Sequence, residues 1–405
     1  MKIVFFSNFI NHHQKPVADE LYRLTGGNYV FVEVIPLYDW LKSGGYADFS
    51  HLPYVLRAWE NEENRMKAEQ LAVTADVAMF GGPEVINYSI LRSRSTNKIS
   101  FEVGERWFKK GWINLLSPRL LKYQWYYHTL FYKKPFYRLC SSAFAAYDEY
   151  KMHSFKNRCY KWGYFTKVDV TVGQTHIEVS GTVSNSEVVS LMWCSRYLKW
   201  KHPELPILMA KNLKRKGYHF VIDMYGSGTY YEQATVLAKK CNVEDVVHFN
   251  GNMPNDEILL SMRNHDIFLF TSDQNEGWGA VANEAMSNGC VLVGSDAVGS
   301  TPYLVADMKN GVLFKSANVN KGFTKSSLKV DDKALDDLTK KVEWLLEHPL
   351  ERKLMATKAY ETMKNIWSPE NAAKSLMLLV ENLQQGLETP FVSGPCSKAI
   401  PIIKK

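Results

Sequence analysis

No Cys-x-x-Cys pair and no apolar run approaching the roughly 18 residues of a membrane span occur in this 405-residue chain. The second absence excludes a membrane-spanning helix. The first leaves Cys140, Cys159, Cys194, Cys241, Cys290 and Cys396 scattered, several within apolar stretches, so they read as reduced, buried thiols of a cytoplasmic protein. The opening run Met1-Lys2-Ile3-Val4-Phe5-Phe6-Ser7 is too short for a secretory leader and no small-residue cleavage site follows, so it reads as a first buried strand.

What is present is a two-part α/β pattern. A chain of 405 residues exceeds what one core usually organises, and its apolar fraction of 46% is that of an ordinary globular protein, so two domains are expected. Short apolar strands alternate with longer amphipathic stretches, the pattern of parallel sheets wrapped by helices. The first series of strands is expected at 2–7, 29–35, 76–80, 99–102 and 168–172. The second is expected at 188–194, 220–225, 246–249, 267–271 and 291–293. The polar stretch 173–187, rich in Ser, Thr and Gly, falls between the two series and reads as the connection. Trp367-Ser368-Pro369-Glu370 opens a last helix, with Ser as N-cap and Pro at the first helical position. Residues 387–405 have scattered Pro and Gly without periodicity and are expected to be loosely held.

The most informative segment reads Asn-Glu-Gly-Trp-Gly-Ala-Val-Ala-Asn-Glu-Ala-Met-Ser-Asn-Gly from Asn275 to Gly289, with Glu276 and Glu284 on either side of seven residues. It follows an apolar strand and passes into a helix. Amides of Gly277, Trp278, Gly279 and Ala280 at such a turn face an anion or a sugar, while the two carboxylates accept hydrogen bonds from hydroxyls. Upstream, the strand ending at Cys194 runs into Arg196 and, five residues on, Lys201. Another strand ends in Gly226-Ser227-Gly228, and a third passes through Phe249-Asn250-Gly251 to Met253. Each piece alone has a bland reading: a Gly-x-Gly is a tight turn, and two glutamates eight positions apart are solvated surface. These pieces together, over about 188–315, form a specific combination.

That combination resembles the donor site of retaining glycosyltransferases of family 4, the glycosyl transferases group 1. The resemblance implies the GT-B fold: two Rossmann-like α/β domains facing across a cleft, with a C-terminal helix crossing back to the first. It divides the chain into 1–175 on the acceptor side, 188–366 on the donor side, a returning helix at 367–386 and a tail at 387–405. It also implies that Arg196 and Lys201 neutralise the donor diphosphate, that Glu276 orients the donor sugar, that Glu284 holds the ribose, and that Gly226 and Met253 lie near the nucleotide. The donor would be a nucleotide diphosphate sugar, UDP-linked in the first instance and GDP-linked as the alternative. No metal and no cofactor are expected, and no Asp-x-Asp cluster stands near these motifs. Retention would let the departing phosphate help deprotonate the acceptor on the same face. The alternatives are a GT-B isomerase or phosphorylase, a nucleotide-sugar sensor without turnover, and a membrane scaffold.

The first half departs from the family. Where relatives have a glycine-rich loop after the first strand, this chain has Asn8-Phe9-Ile10-Asn11-His12-His13-Gln14-Lys15-Pro16. Asn8, His12, His13 and Lys15 offer side-chain donors in glycine's place, although adjacent histidines also suit a solvated turn. Gly81-Gly82-Pro83-Glu84 and Glu102-Val103-Gly104-Glu105-Arg106-Trp107 end two further strands, which makes Glu105 and Arg106 acceptor-side candidates or an ion pair supporting a loop. From 106 to 161 the chain holds twelve Lys or Arg, sixteen aromatics and only two acids, Asp148 and Glu149. Three readings stay open: a face resting on an anionic membrane and reaching a lipid-linked acceptor, an amphipathic helical insertion packed on its own domain, and single-stranded nucleic acid stacked on rings, which no recognition motif supports. The whole reads as a cytoplasmic enzyme, at most peripheral to the inner face of the plasma membrane. Its acceptor would be a saccharide or lipid-linked saccharide in surface polysaccharide or lipopolysaccharide assembly, with no role for nucleic acid.

Overall fold

The computed structural model describes residues 1–38, 48–169 and 188–402, which divide into two compact units: 1–167 with 366–405, and 168–365. The expected connection at 173–187 and most of the expected strand at 168–172 lie outside the described residues.

The first unit is built on a seven-stranded sheet with the order β3-β2-β1-β4-β5-β6-β7. Its strands are β1 (Ile3–Ser7), β2 (Tyr29–Glu33), β3 (Val55–Arg57), β4 (Val77–Gly81), β5 (Ser100–Gly104), β6 (Phe136–Cys140) and β7 (Cys159–Lys161). All pairings are parallel, with β1 in register Ile3 to Tyr29 on one side and Ile3 to Val77 on the other. β1 and β4 are buried along their whole length, as continuous apolar runs in a parallel sheet must be. Helix Pro369–Gln384 packs on helix Lys15–Leu24, and Ser368 caps it by accepting from the Asn371 N–H at 3.2 Å.

Two expectations are corrected here. The basic aromatic stretch 106–161 is not one helical insertion: it supplies β6 and β7 as well as helix Pro118–Thr129. The tail at 387–405 is not loosely held throughout. Cys396 N–H donates to Lys161 O at 2.8 Å and Ala399 N–H to Cys159 O at 3.0 Å, with an antiparallel bridge between Tyr160 and Lys398, so residues 396–399 cover the outer edge of β7.

The second unit repeats the plan with the order β10-β9-β8-β11-β12-β13. These strands are β8 (Val189–Cys194), β9 (Phe220–Tyr225), β10 (Val247–Gly251), β11 (Ile267–Phe270), β12 (Val291–Ser295) and β13 (Val312–Phe314), again all parallel. One core runs from the strands to the helices Glu204–Arg215, Tyr231–Cys241 and Asp332–Glu347, with Leu191, Ile222, Leu205, Leu213 and Leu338 wholly buried. All six cysteines are free thiols. Among the described residues no helix is long and apolar enough to cross a membrane.

Candidate active site

In both sheets the chain fills one side of the first strand and then reverses to fill the other, between β1 and β4 and again between β8 and β11. At such a reversal the two connections leave the carboxyl ends in opposite directions and open a crevice, where ligands bind in open α/β sheets. The residues singled out in the sequence fall largely at these two places.

In the second unit, Arg196 lies two residues past β8, exposed and paired with no carboxylate among the described residues. Lys201 closes the short turn Lys199–Lys201, is buried, and donates to Glu276 Oε2; the Ser272 hydroxyl lies 3.2 Å from the same oxygen. A cation assigned to the diphosphate and a carboxylate assigned to the sugar are therefore joined to each other just past β11. The N–H groups of Gly277, Gly279 and Ala280 have no acceptor within the described protein. Gly279 has φ +75°, and a Cβ there would stand 2.3 Å from the Phe270 ring, so only glycine allows this backbone to lie so close to the strand. Trp278 sends its side chain inward, fully buried, with the indole N–H donating to Asn283 Oδ1 at 2.8 Å.

Glu284 sits on helix Val281–Ser287, and burial pushes its carboxyl up to about 7. Gly226 serves a structural end: its N–H donates to Gly251 O at 2.7 Å, and a Cβ would lie 2.0 Å from Ser195 O. Its bareness lets the end of β9 pass against the turn that carries Arg196. Met253 is exposed beyond β10, next to Asn252, whose amide donates to Ser227 Oγ at 2.9 Å.

One group at this site escaped the sequence reading. His202, wholly buried and adjacent to Lys201, lies 2.7 Å from Glu204 Oε1 and 3.2 Å from Asp273 Oδ2. Burial alone lowers its basicity, but the hydrogen bonds to Asp273 and Glu204 outweigh burial and raise it to about 9. His202 is thus a cation that ties the Lys201 turn to the loop carrying Glu276. The signal available was a His-Pro-Glu after Lys201 and an Asp three residues before Glu276, neither of which points to the other.

In the first unit a cavity of about 850 Å³ opens at the carboxyl ends of β1, β4, β5 and β6. Asn8 Oδ1 and Ser141 Oγ lie on its lining, buried and without a hydrogen-bond partner. A buried polar atom left unpaired costs about 1–3 kcal/mol, so both are suited to a polar ligand. Glu105 also lines it, accepting from Lys109 and, at 3.0 Å, from the Tyr164 hydroxyl. Glu105 and Arg106 do not pair with each other, since Arg106 reaches Asp148 at 3.1 Å. His12 and His13 follow in the same loop as Asn8, with ring centroids 3.8 Å apart. Asn11 Oδ1 accepts from the N–H groups of His13 and Gln14 at 3.0 and 3.1 Å, which fixes the turn into helix Lys15–Leu24. Burial lowers both imidazoles; with His12 alongside, His13 falls to about 3, so both are neutral at physiological pH.

Beneath the cavity lies an ion cluster the sequence did not disclose. Arg138 on β6 is paired with Glu102 and, at 3.3 Å, with Glu149, and Tyr127 donates to Glu102. Glu149 in turn accepts from the Trp107 indole at 3.0 Å, while Asp148 accepts from the Phe108 N–H at 2.9 Å. The two lone acids of the basic stretch thus anchor the loop that carries Glu105. Burial raises Glu149 to about 7 against the pull of Arg138.

Two Rossmann-like parallel-sheet units of this kind are the architecture of the GT-B fold. Residues 178–362 match the family described as Glycosyl transferases group 1. Solved structures agree in fold. Anabaena HepE (Alr3699) in complex with UDP is 13% identical, at a TM-score of 0.64 over 95% of this chain and 100% of that one. The sucrose-phosphate synthase of Thermosynechococcus elongatus is 13% identical at 0.65, over 95% and 100%. The lipopolysaccharide outer core galactosyltransferase WaaB is 13% identical at 0.58, over 90% and 99%. No curated protein matches the chain.

Proposed function

We propose that the protein is a retaining family 4 glycosyltransferase that moves a sugar from a UDP-sugar, or else a GDP-sugar, to an acceptor hydroxyl, without metal or cofactor. The observation that carries this reading is the grouping at one strand-order reversal of an exposed Arg196, the joined Lys201 and Glu276, and the unpaired N–H groups of Gly277, Gly279 and Ala280. As the glycosidic bond breaks, negative charge gathers on the leaving diphosphate. Fixed cations and amides at that place stabilise the transition state more than the bound donor, which raises turnover.

In this reading Arg196 and Lys201 take the diphosphate. Glu276 exchanges its lysine partner for a hydroxyl of the sugar, and Glu284 accepts from the ribose. A leaving phosphate oxygen then removes the acceptor proton on the face it departs from. The cavity at Asn8, Glu105 and Ser141 takes the acceptor, and the neutral His12 and His13 hydrogen-bond hydroxyls rather than charges. The acceptor is a saccharide, free or lipid-linked, of a cell-surface polysaccharide or lipopolysaccharide, met at the inner face of the plasma membrane. Among the structural relatives, one is seen in complex with UDP and one is a lipopolysaccharide outer core galactosyltransferase, which supports the donor and the pathway class.

The test is thermal unfolding of the protein with UDP, GDP and ADP and their sugar conjugates, repeated with Glu284→Ala and Arg196→Ala. A ligand bound to the folded state alone at a hundredfold excess over its dissociation constant adds roughly 2.7 kcal/mol of stability. A shift with one nucleotide, lost in both variants, supports the donor site and names the base; no shift with any of them removes the reading. For the histidines, unchanged turnover of His12→Ala and His13→Ala at saturating donor removes their role.

A further inference from the structure

We propose that the surface of residues 110–133 in the first unit rests on a bilayer containing anionic lipid, which makes the acceptor lipid-borne. The statement about the acceptor depends on the glycosyltransferase reading above; the docking surface does not.

Helix Pro118–Thr129 is apolar on two faces. One face, with Leu120, Tyr123 and Tyr127, is buried in the core of its own unit. The other carries Leu121 and Trp125, one turn apart and 58% and 68% exposed. Just upstream, Ile113 and Leu116 stand three positions apart in the 3-10 helix Gly111–Leu116, where such residues eclipse, and are 74% and 80% exposed. Tyr132 follows at 58%. Five large apolar side chains are thus left in water within twenty residues of chain, a concentration of the kind that marks an interaction site.

The charges among them settle the occupant. Lys110, Arg119, Lys122 and Lys133 are all exposed, and none pairs with a carboxylate among the described residues. No Asp or Glu occurs anywhere from 106 to 147. A second copy meeting this face through the same face would set cation against cation. An anionic bilayer instead accepts every element present: Leu, Trp and Tyr settle at headgroup depth, and lysine stems lie along the apolar surface while their ammonium groups meet phosphate.

The cavities beside the face are consistent with this placement. Ile113 and Leu116 belong to the lining of the 850 Å³ cavity, so an acceptor head bound there has an apolar exit for its chain. At the far end of the helix a second cavity, of about 420 Å³, is lined by His128, Tyr132, His153, Lys156 and Arg158 and contains no carboxylate. A headgroup phosphate there meets cations and donors without a competing anion.

The experiment is co-sedimentation of the full chain with vesicles of phosphatidylcholine alone and of phosphatidylcholine mixed with phosphatidylglycerol, with UDP binding measured in parallel. The expected result is binding to the mixed vesicles only, released by raised salt. The double variant Leu121→Ser, Trp125→Ser is expected to weaken vesicle binding about tenfold or more at an unchanged unfolding temperature, both side chains being exposed. Lys122→Glu, a surface change with no packing role, is expected to weaken it as well, and UDP binding is expected to stay the same in all variants. No binding to the mixed vesicles, or binding that survives both variants, overturns the proposal. So does a double variant that only converts a dimer to a monomer. Vesicle binding without UDP binding leaves the docking surface standing and removes the donor reading instead.

Discussion

After β1 the chain turns through Asn8, Asn11, His12 and His13, and after β8, at the matching place in a sheet of the same order, it turns through Ser195, Arg196 and Tyr197. The second turn is held by backbone: Ser195 N–H donates to Tyr225 O and Tyr197 N–H to Ser227 O, made possible by the bare Gly226. The first shares such backbone bonds, Asn8 O accepting from the Val34 and Ile35 N–H groups, and adds side chains, Asn11 Oδ1 and Glu33; the loop after β5 is held chiefly by a buried network of Arg138, Glu102, Glu149 and Asp148. One topology therefore supports two ways of fixing a binding loop. Backbone contact leaves a charged side chain free for a ligand, whereas a charge network consumes its charges in holding the loop.

The sharpest way to break this comparison is to remove Arg138. Arg138→Met leaves Glu102 and Glu149 buried without their cation, which should destabilise by about 3–5 kcal/mol in urea unfolding; a loss under about 1 kcal/mol would mean the network is not structural. Arg196→Ala should do the reverse, lowering kcat roughly 10²–10³-fold at saturating donor while leaving the unfolding midpoint unchanged. A stability loss there with normal turnover would erase the contrast.

His202 sharpens the comparison, since with Glu204 and Asp273 it forms a buried charge network in the second unit. Its folded value, about 9, lies above its ordinary 6.5, so protonation favours the folded state. Its contribution, on the order of 3 kcal/mol, is fully present below about pH 6.5 and fades as pH rises to about 9. Unfolding measured across that window should show the decline in the parent and not in His202→Gln. The smallest expected effect is at Glu284. Its carboxyl, raised to about 7, accepts more strongly from ribose once ionised, so UDP affinity should rise by up to about tenfold from pH 6 to pH 8 and the rise attributable to this group should vanish in Glu284→Gln.

The candidate site of the second unit could be assembled from the sequence because its parts are local. Glu276, three amides and Glu284 stand within nine residues, and Arg196 and Lys201 follow one strand. His202 and Asp273 are 71 positions apart, and no periodicity links them. In the first unit β6 was missed because Phe136-Tyr137-Arg138-Leu139-Cys140 carries a charge at its centre, which only partners 36 and 11 positions away make tolerable in a buried strand. β7 has three residues, and the tail that pairs with it is held by backbone, leaving no side-chain pattern to read. The strands β1, β2, β4 and β5 and those of the second sheet from β8 to β12, most of them apolar runs in a parallel sheet, were all placed within a few residues.

The first unit owns both the opening 167 residues and those from 366 onward, while the second is one uninterrupted piece, 168–365. Order of synthesis and order of completion therefore differ. When residue 365 has been added, the second unit has its whole sequence, yet the first still lacks helix Pro369–Gln384, which packs on Lys15–Leu24, and the segment that covers β7. At about 5–20 residues per second the ribosome takes roughly 2–8 seconds more to supply them. The half of the molecule that emerges first is the half that finishes last, and during that interval an uncovered sheet edge and an unfilled helix face are in the care of whatever meets nascent chains.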